Sequence, residues 1–127
     1  MAKKLANTFH TPIGTHIIAD LYDCTNLSNN SSVREILLQS AKESKGTVLH
    51  TKFHDFEPQG LTGYILLAES HISIHTWPES GYAAVDVFTC GTTMQPKAAV
   101  AYIQKMLGAK NVRAKTVRRN GVVKDAR

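Results

Sequence analysis

From Gly14 to Cys24 the chain reads GTHIIADLYDC, a β-branched run that partly alternates and so predicts a strand. Ser32-x-x-Glu35 then forms a capping box ahead of Val33, Ile36, Leu37 and Ala41 at helical spacing, which predicts a helix ending near Gly46. Residues 46–56 (GTVLHTKFHDF) alternate again and residues 61–68 (LTGYILLA) are nearly all apolar. With the shorter runs His71 to Thr76 and Tyr82 to Cys90 they make three or four strands. Pro96 suits a first helical turn, Ala99, Tyr102, Ile103 and Met106 mark one helix face, and Gly108 stops that helix. Asn111 to Arg119 closes as a last strand. The order β-α-β-β-β-α-β, two helices to about five strands, predicts an α/β fold of the α+β kind: a two-layer sandwich of a mainly antiparallel sheet and two helices. Two helices cover one face of such a sheet, so the other is expected to meet a second subunit.

Length and composition add limits. The 127 residues make one domain spanning 1–127, and no apolar run approaches the roughly 20 residues that cross a bilayer. Behind Lys3 and Lys4 there is no apolar stretch of signal-peptide length, and the two cysteines, Cys24 and Cys90, read as free thiols; a cytoplasmic protein is expected. The net charge of +5 is local: Lys110, Arg113, Lys115, Arg118, Arg119, Lys124 and Arg127 stand against Asp125, leaving residues 1–109 slightly acidic. A nucleic-acid-binding module would rest on that tail alone, and a solvated edge strand with a terminal tail is the better reading of it; no nucleic-acid partner is expected.

Chemistry concentrates in residues 67–91, LAESHISIHTWPESGYAAVDVFTCG. Period-two alternation sets His71, Ser73 and His75 on one face of their strand, and Tyr82, Ala84, Asp86, Phe88 and Cys90 on one face of the next. If the two pair around a turn at Trp77 to Gly81, Cys90 could approach His75, as a Cys–His hydrolase would need. Zinc is suggested by His50-x3-His54 and His71-x3-His75, but on a strand such pairs lie about 13 Å apart, and no metal is expected. As single residues, His75 and Cys90 read as core fillers; the density of the whole cluster favours a site.

The run ESHISIHTWPE, Glu69 to Glu79, followed by GYAAVDVFTCG to Gly91, closely resembles the short prokaryotic S-adenosylmethionine decarboxylases, with a looser likeness over most of the chain. The resemblance implies a pyruvoyl enzyme. In such an enzyme the Ser70 hydroxyl attacks the Glu69 carbonyl, and the ester eliminates to leave residues 1–69 and a chain 70–127 that begins with a pyruvoyl group. That group serves as cofactor, through a Schiff base with the substrate amine. It further implies that His75 assists processing and that Cys90 returns a proton to the substrate carbon. Thr62 stands where the family usually has a processing serine, keeping the hydroxyl but adding a methyl. Phe56 matches the aromatic residue that stacks on adenine, and Glu79 the carboxylate that holds the ribose hydroxyls. Without the resemblance, Phe56 and Glu79 read as a core aromatic and a solvated turn carboxylate. The family is typically a homodimer whose active sites draw on both subunits, and its product is the aminopropyl donor for spermidine synthesis. Relatives that decarboxylate arginine or ornithine by the same chemistry keep those two substrates open. Alternation puts Ser70 and His75 on opposite faces, so Ser70 is expected in a bend outside the regular strand.

Overall fold

The structure, a computed structural model, describes residues 13–120; the basic residues Lys124 and Arg127 lie outside them. In chain order the elements are β1 (Gly14–Tyr22), α1 (Asn30–Glu43), β2 (Val48–Asp55), β3 (Leu61–Leu67), β4 (Ser70–Trp77), a 3-10 turn (Pro78–Ser80), β5 (Tyr82–Cys90), α2 (Pro96–Leu107) and β6 (Asn111–Arg119). Four strands lie between the helices where the predicted order had three. The six form one sheet in the order β2-β3-β4-β5-β1-β6, and all five pairings are antiparallel.

Both helices pack on one face. Val33, Ile36, Leu37 and Ala41 of α1 and Ala99, Val100, Ile103 and Leu107 of α2 are buried against Ile17, Leu21, Ile65, Ile72, Ile74, Val85 and Val87 of the strands. Two details differ from the predicted helices. The cap of α1 is Asn29, whose Oδ1 accepts from the Ser32 N–H at 3.1 Å, so Ser32 receives the cap rather than supplying it. On α2, Val100 and Leu107 turn inward and Met106 stays partly exposed, since the helix lies across β1 and β5 a little rotated from its predicted stripe. Gly108 ends α2 in the left-handed conformation, with φ 67°.

The core is close-fitting beneath β2 and β3. Gly63 pairs with Phe53, and a Cβ there would fall on the Phe53 ring. Gly63→Ala should therefore destabilise the fold by about 1–3 kcal/mol, as overpacking does, read as a lower midpoint in urea unfolding with an unchanged slope.

The opposite face carries no helix. Onto it β3 sends Thr62, Tyr64 and Leu66, β4 His71, Ser73, His75 and Trp77, β5 Tyr82 to Cys90 in alternation, and β1 His16, Ile18, Asp20 and Tyr22. Ile18, Tyr64, Leu66 and Trp77 are each 40–46% exposed there. Four large apolar side chains thus stand open amid polar groups on that face, more than scattered single exposures give. β6 forms one sheet edge, and its Arg113, Lys115, Arg118 and Arg119 are exposed, as the reading of a solvated edge strand requires.

Candidate active site

Two groups of side chains occupy opposite ends of the open face. The first is built around the tight turn between β3 and β4. Leu67 pairs with Ser70, so only Ala68 and Glu69 lie between the strands. The Glu69 carboxylate is tied down by the Thr47 N–H at 2.9 Å and the Thr47 hydroxyl at 3.1 Å. The Thr47 N–H is the main reason the carboxyl sits below its ordinary pKa. The Glu69 carbonyl accepts from the Cys90 N–H at 2.8 Å, which polarises the peptide bond to Ser70. Ser70 itself has φ 152°, a region that L residues rarely occupy and that costs of order 1–3 kcal/mol.

Ser70 does not leave the sheet as expected: it begins β4 in register with Leu67 and Thr89. The departure lies in its torsion instead. Strand parity would group Ser70 with buried Ile72 and Ile74, yet its Oγ lies 3.4 Å from Nδ1 of His71, a side chain of the open face. Neighbouring strand side chains ordinarily point to opposite faces, and the reversed φ brings these two together.

At the other end, Thr62 and His75 face each other across β3 and β4, with Thr62 Oγ1 3.0 Å from His75 Nδ1. They line a cleft of ≈ 270 Å³ with Phe56, Gln59, Gly60, Trp77 and Glu79. Phe56 and Trp77 offer half-exposed ring faces, and Gln59 Nε2 donates to Glu79 at 3.4 Å. The fold thus gathers Thr62, His75, Phe56 and Glu79 in one place and Glu69, Ser70 and Cys90 in another. A wider groove of ≈ 590 Å³ runs beside the cleft along Asn29, Arg34 and Asp55 and shares Phe56 and Gln59 with it.

The register also corrects the approach of Cys90 to His75. Trp77 pairs with Tyr82 and His75 with Ala84, which leaves Cys90 six residues further along β5, roughly 20 Å away at ~3.3 Å per residue. A Cys–His pair within one chain is excluded by that distance. His50 and His54 lie on β2, at the far edge from β1, and do not converge with His71 and His75.

Between the two ends lies a group that the sequence reading did not assemble. Asp86 on β5 accepts from Ser73 Oγ at 2.7 Å, lies 3.3 Å from His16 Nε2, and lies 3.3 Å from His71 Nε2. Burial would raise the Asp86 carboxyl, but the hydrogen bonds from Ser73 and His16 and the two nearby imidazoles outweigh it and hold it below its ordinary value. His71, Ser73 and Asp86 were legible on their faces; that His16 joins them follows only from β5 pairing with β1. Among the described residues, His16, His71 and Asp86 are the one group compact enough to hold a metal ion. Arg119 Nη1 stands 3.3 Å from His16 Nδ1 and puts a fixed positive charge beside that group, which disfavours a cation.

Comparison with known proteins follows the same lines. A model of the S-adenosylmethionine decarboxylase family matches residues 15–120. The S-adenosylmethionine decarboxylase proenzyme of Carboxydothermus hydrogenoformans is 46% identical over 115 residues, 89% of this chain and 91% of that protein. The proenzyme of the same name from Prochlorococcus marinus is 50% identical over 109 residues, 84% of this chain and 87% of its own length. Among solved structures, the adenosylmethionine decarboxylase of Aquifex aeolicus superposes with a TM-score of 0.82 at 38% identity, covering 91% of this chain and 98% of that one.

Proposed function

The chain belongs to the S-adenosylmethionine decarboxylase family, and on that premise we propose that it is a proenzyme which cuts itself between Glu69 and Ser70 and then decarboxylates S-adenosylmethionine as a homodimer. The observation that carries this reading is the condition of the Glu69–Ser70 peptide. Its carbonyl is polarised by the Cys90 N–H, its Ser70 torsion is strained, and its nucleophilic oxygen lies against an imidazole. Attack of Ser70 Oγ on the Glu69 carbonyl turns the amide into an ester and releases the strained backbone. Elimination across Cα–Cβ of residue 70 then frees the Glu69 carboxylate, and hydrolysis of the dehydroalanine releases ammonia.

The residues present fit the group that results, because Ser70 is its precursor and already stands at a chain turn where a new terminus can form. A pyruvoyl carbonyl supplies an electron sink for a substrate amine, as pyridoxal phosphate does. Around it, Cys90 Sγ carries the proton that the substrate carbon receives once carbon dioxide has left. Phe56 offers a ring face to the adenine, and Glu79 accepts from the two ribose hydroxyls.

One chain cannot complete this site. His75 is five strand residues from Ser70, roughly 17 Å, so the cleft that holds His75, Phe56 and Glu79 is out of reach of the Ser70 of the same chain. A second copy laid on the open face and turned end for end places the Ser70 end of each sheet over the cleft of the other. Such a two-fold arrangement is self-complementary and covers Ile18, Tyr64, Leu66 and Trp77 at once.

Carbon dioxide release from S-adenosylmethionine, arginine and ornithine, measured side by side on cleaved protein, tests the substrate. S-adenosylmethionine should be strongly preferred; preference for either plain amino acid would keep the pyruvoyl chemistry and remove the nucleoside roles of Phe56 and Glu79. Glu79→Gln and Phe56→Ala should each leave self-cleavage intact and raise KM. For Phe56 the loss of stacking, about 1–3 kcal/mol, corresponds to an effect of roughly fivefold to 150-fold.

A further inference from the structure

The roles above leave unused a side chain within hydrogen-bonding distance of the Ser70 oxygen. His71 follows Ser70 directly, its Nδ1 3.4 Å from Oγ and its Nε2 3.3 Å from Asp86 Oδ1. A nitrogen lone pair facing a carboxylate oxygen is repelled, so the ring proton of neutral His71 sits on Nε2, toward Asp86. That leaves the Nδ1 lone pair toward the hydroxyl of Ser70. His16 is set in the same way: Arg119 can only donate, so His16 Nδ1 accepts from it and Nε2–H turns to Asp86 Oδ2. Ser73 donates the third hydrogen bond to the carboxylate, at 2.7 Å. Asp86 is thereby held in place from β1 and β4 together, and can orient His71 as the carboxylate of a serine hydrolase orients its histidine.

We propose that His71 is the general base that starts self-cleavage, taking the Ser70 hydroxyl proton within its own chain, with Asp86 as its positioning residue. The inference rests on the self-cleavage reading and divides the work between two histidines. His71 serves the acyl shift in cis. His75, out of reach in the same chain, serves the site of the second copy. The step balances without a co-reactant. Oγ–H gives its proton to His71 Nδ1 as Oγ bonds to the Glu69 carbonyl carbon, and the oxygen that becomes negative is the one already accepting from the Cys90 N–H. The C–N bond then breaks, the electron pair stays on the Ser70 nitrogen, and the imidazolium returns the proton to that nitrogen. An ester and a free amine replace the amide.

The test follows freshly purified uncut chains by intact mass, with hydroxylamine added to cleave any accumulated ester. In His71→Ala, cutting should slow about a hundredfold or more, the usual scale for a lost general base. The stalled chain should resist hydroxylamine, and added imidazole should restore cutting at least about tenfold, because the truncated side chain leaves room beside Oγ. Asp86→Asn should slow cutting less and be unaffected by imidazole. A His71→Ala protein with native circular dichroism that cuts at the wild-type rate, accumulates a hydroxylamine-sensitive ester, or ignores imidazole overturns the assignment. If the alanine variant misfolds, His71→Asn, which keeps an N–H for Asp86 but has no basic nitrogen, must show the same slow, hydroxylamine-resistant behaviour. Failure of the wild type to cut would instead remove the self-cleavage reading itself, so the two failures are distinct.

Discussion

Ser70→Ala should stay a single uncut chain and release no carbon dioxide from any substrate. The hydroxyl is the only group lost, and in the proposed mechanism it is both the attacking nucleophile and the source of the ketone that the decarboxylation needs. The fold should be untouched, since Ser70 is only partly buried and Ala occupies the same backbone place at the start of β4. Wild type, by contrast, should run as two bands on a denaturing gel, residues 1–69 and a chain from residue 70 that resists stepwise amino-terminal sequencing. Intact mass decides the matter: an uncut wild-type chain with an ordinary serine, after long incubation at neutral pH, would dispose of the enzyme mechanism.

Mixing two dead variants should restore cutting. His75→Ala alone should stall, because the imidazole of the Thr62–His75 pair is gone from both clefts of the dimer. Ser70→Ala alone cannot cut at all. In a dimer of one chain of each kind, the His75→Ala chain still owns Ser70, and the Ser70→Ala chain still offers His75 across the interface. One of the two sites is then complete, and the His75→Ala chain should be cleaved from near zero to a large share of the mixed dimers. The physical basis is the roughly 17 Å of β4 between Ser70 and His75, which no side-chain rotation spans. Mixed dimers formed by co-expression with two different tags, purified through both, are the material to measure. If the mixture stays uncut while wild-type dimers cut, Ser70 and His75 do not meet across an interface, and the arrangement of half-sites is wrong.

The alternation of β2, β4 and β5, the Pro96 and Gly108 boundaries of α2, and the turn at Pro78 to Gly81 all follow from residue type within short windows. Each depends on side-chain period or on a φ that proline or glycine supplies. The cap of α1 did not follow, because Asn29 and Ser32 are both capping residues and the choice between them depends on where the chain enters from β1. The apolar run of β3 was ambiguous for a related reason. Tyr64 and Leu66 lie on the uncovered face, and in sequence an apolar residue on that face reads like one that meets a helix.

By itself the sequence determined the family, through the run from Glu69 to Gly91, and it determined which residues share a face of β4 and β5. It did so because motif identity and period-two alternation are properties of contiguous residues. Only the tertiary structure decided which of these residues meet. Strand register set Cys90 beside Glu69 instead of His75, and the pairing of β1 with β5 and β6 brought His16 and Arg119 to Asp86. The torsion of Ser70 turned its hydroxyl toward His71. Alternation fixes the face of a side chain but not its neighbour, and a neighbour tens of residues away in sequence is settled by the hydrogen-bonded register of whole strands.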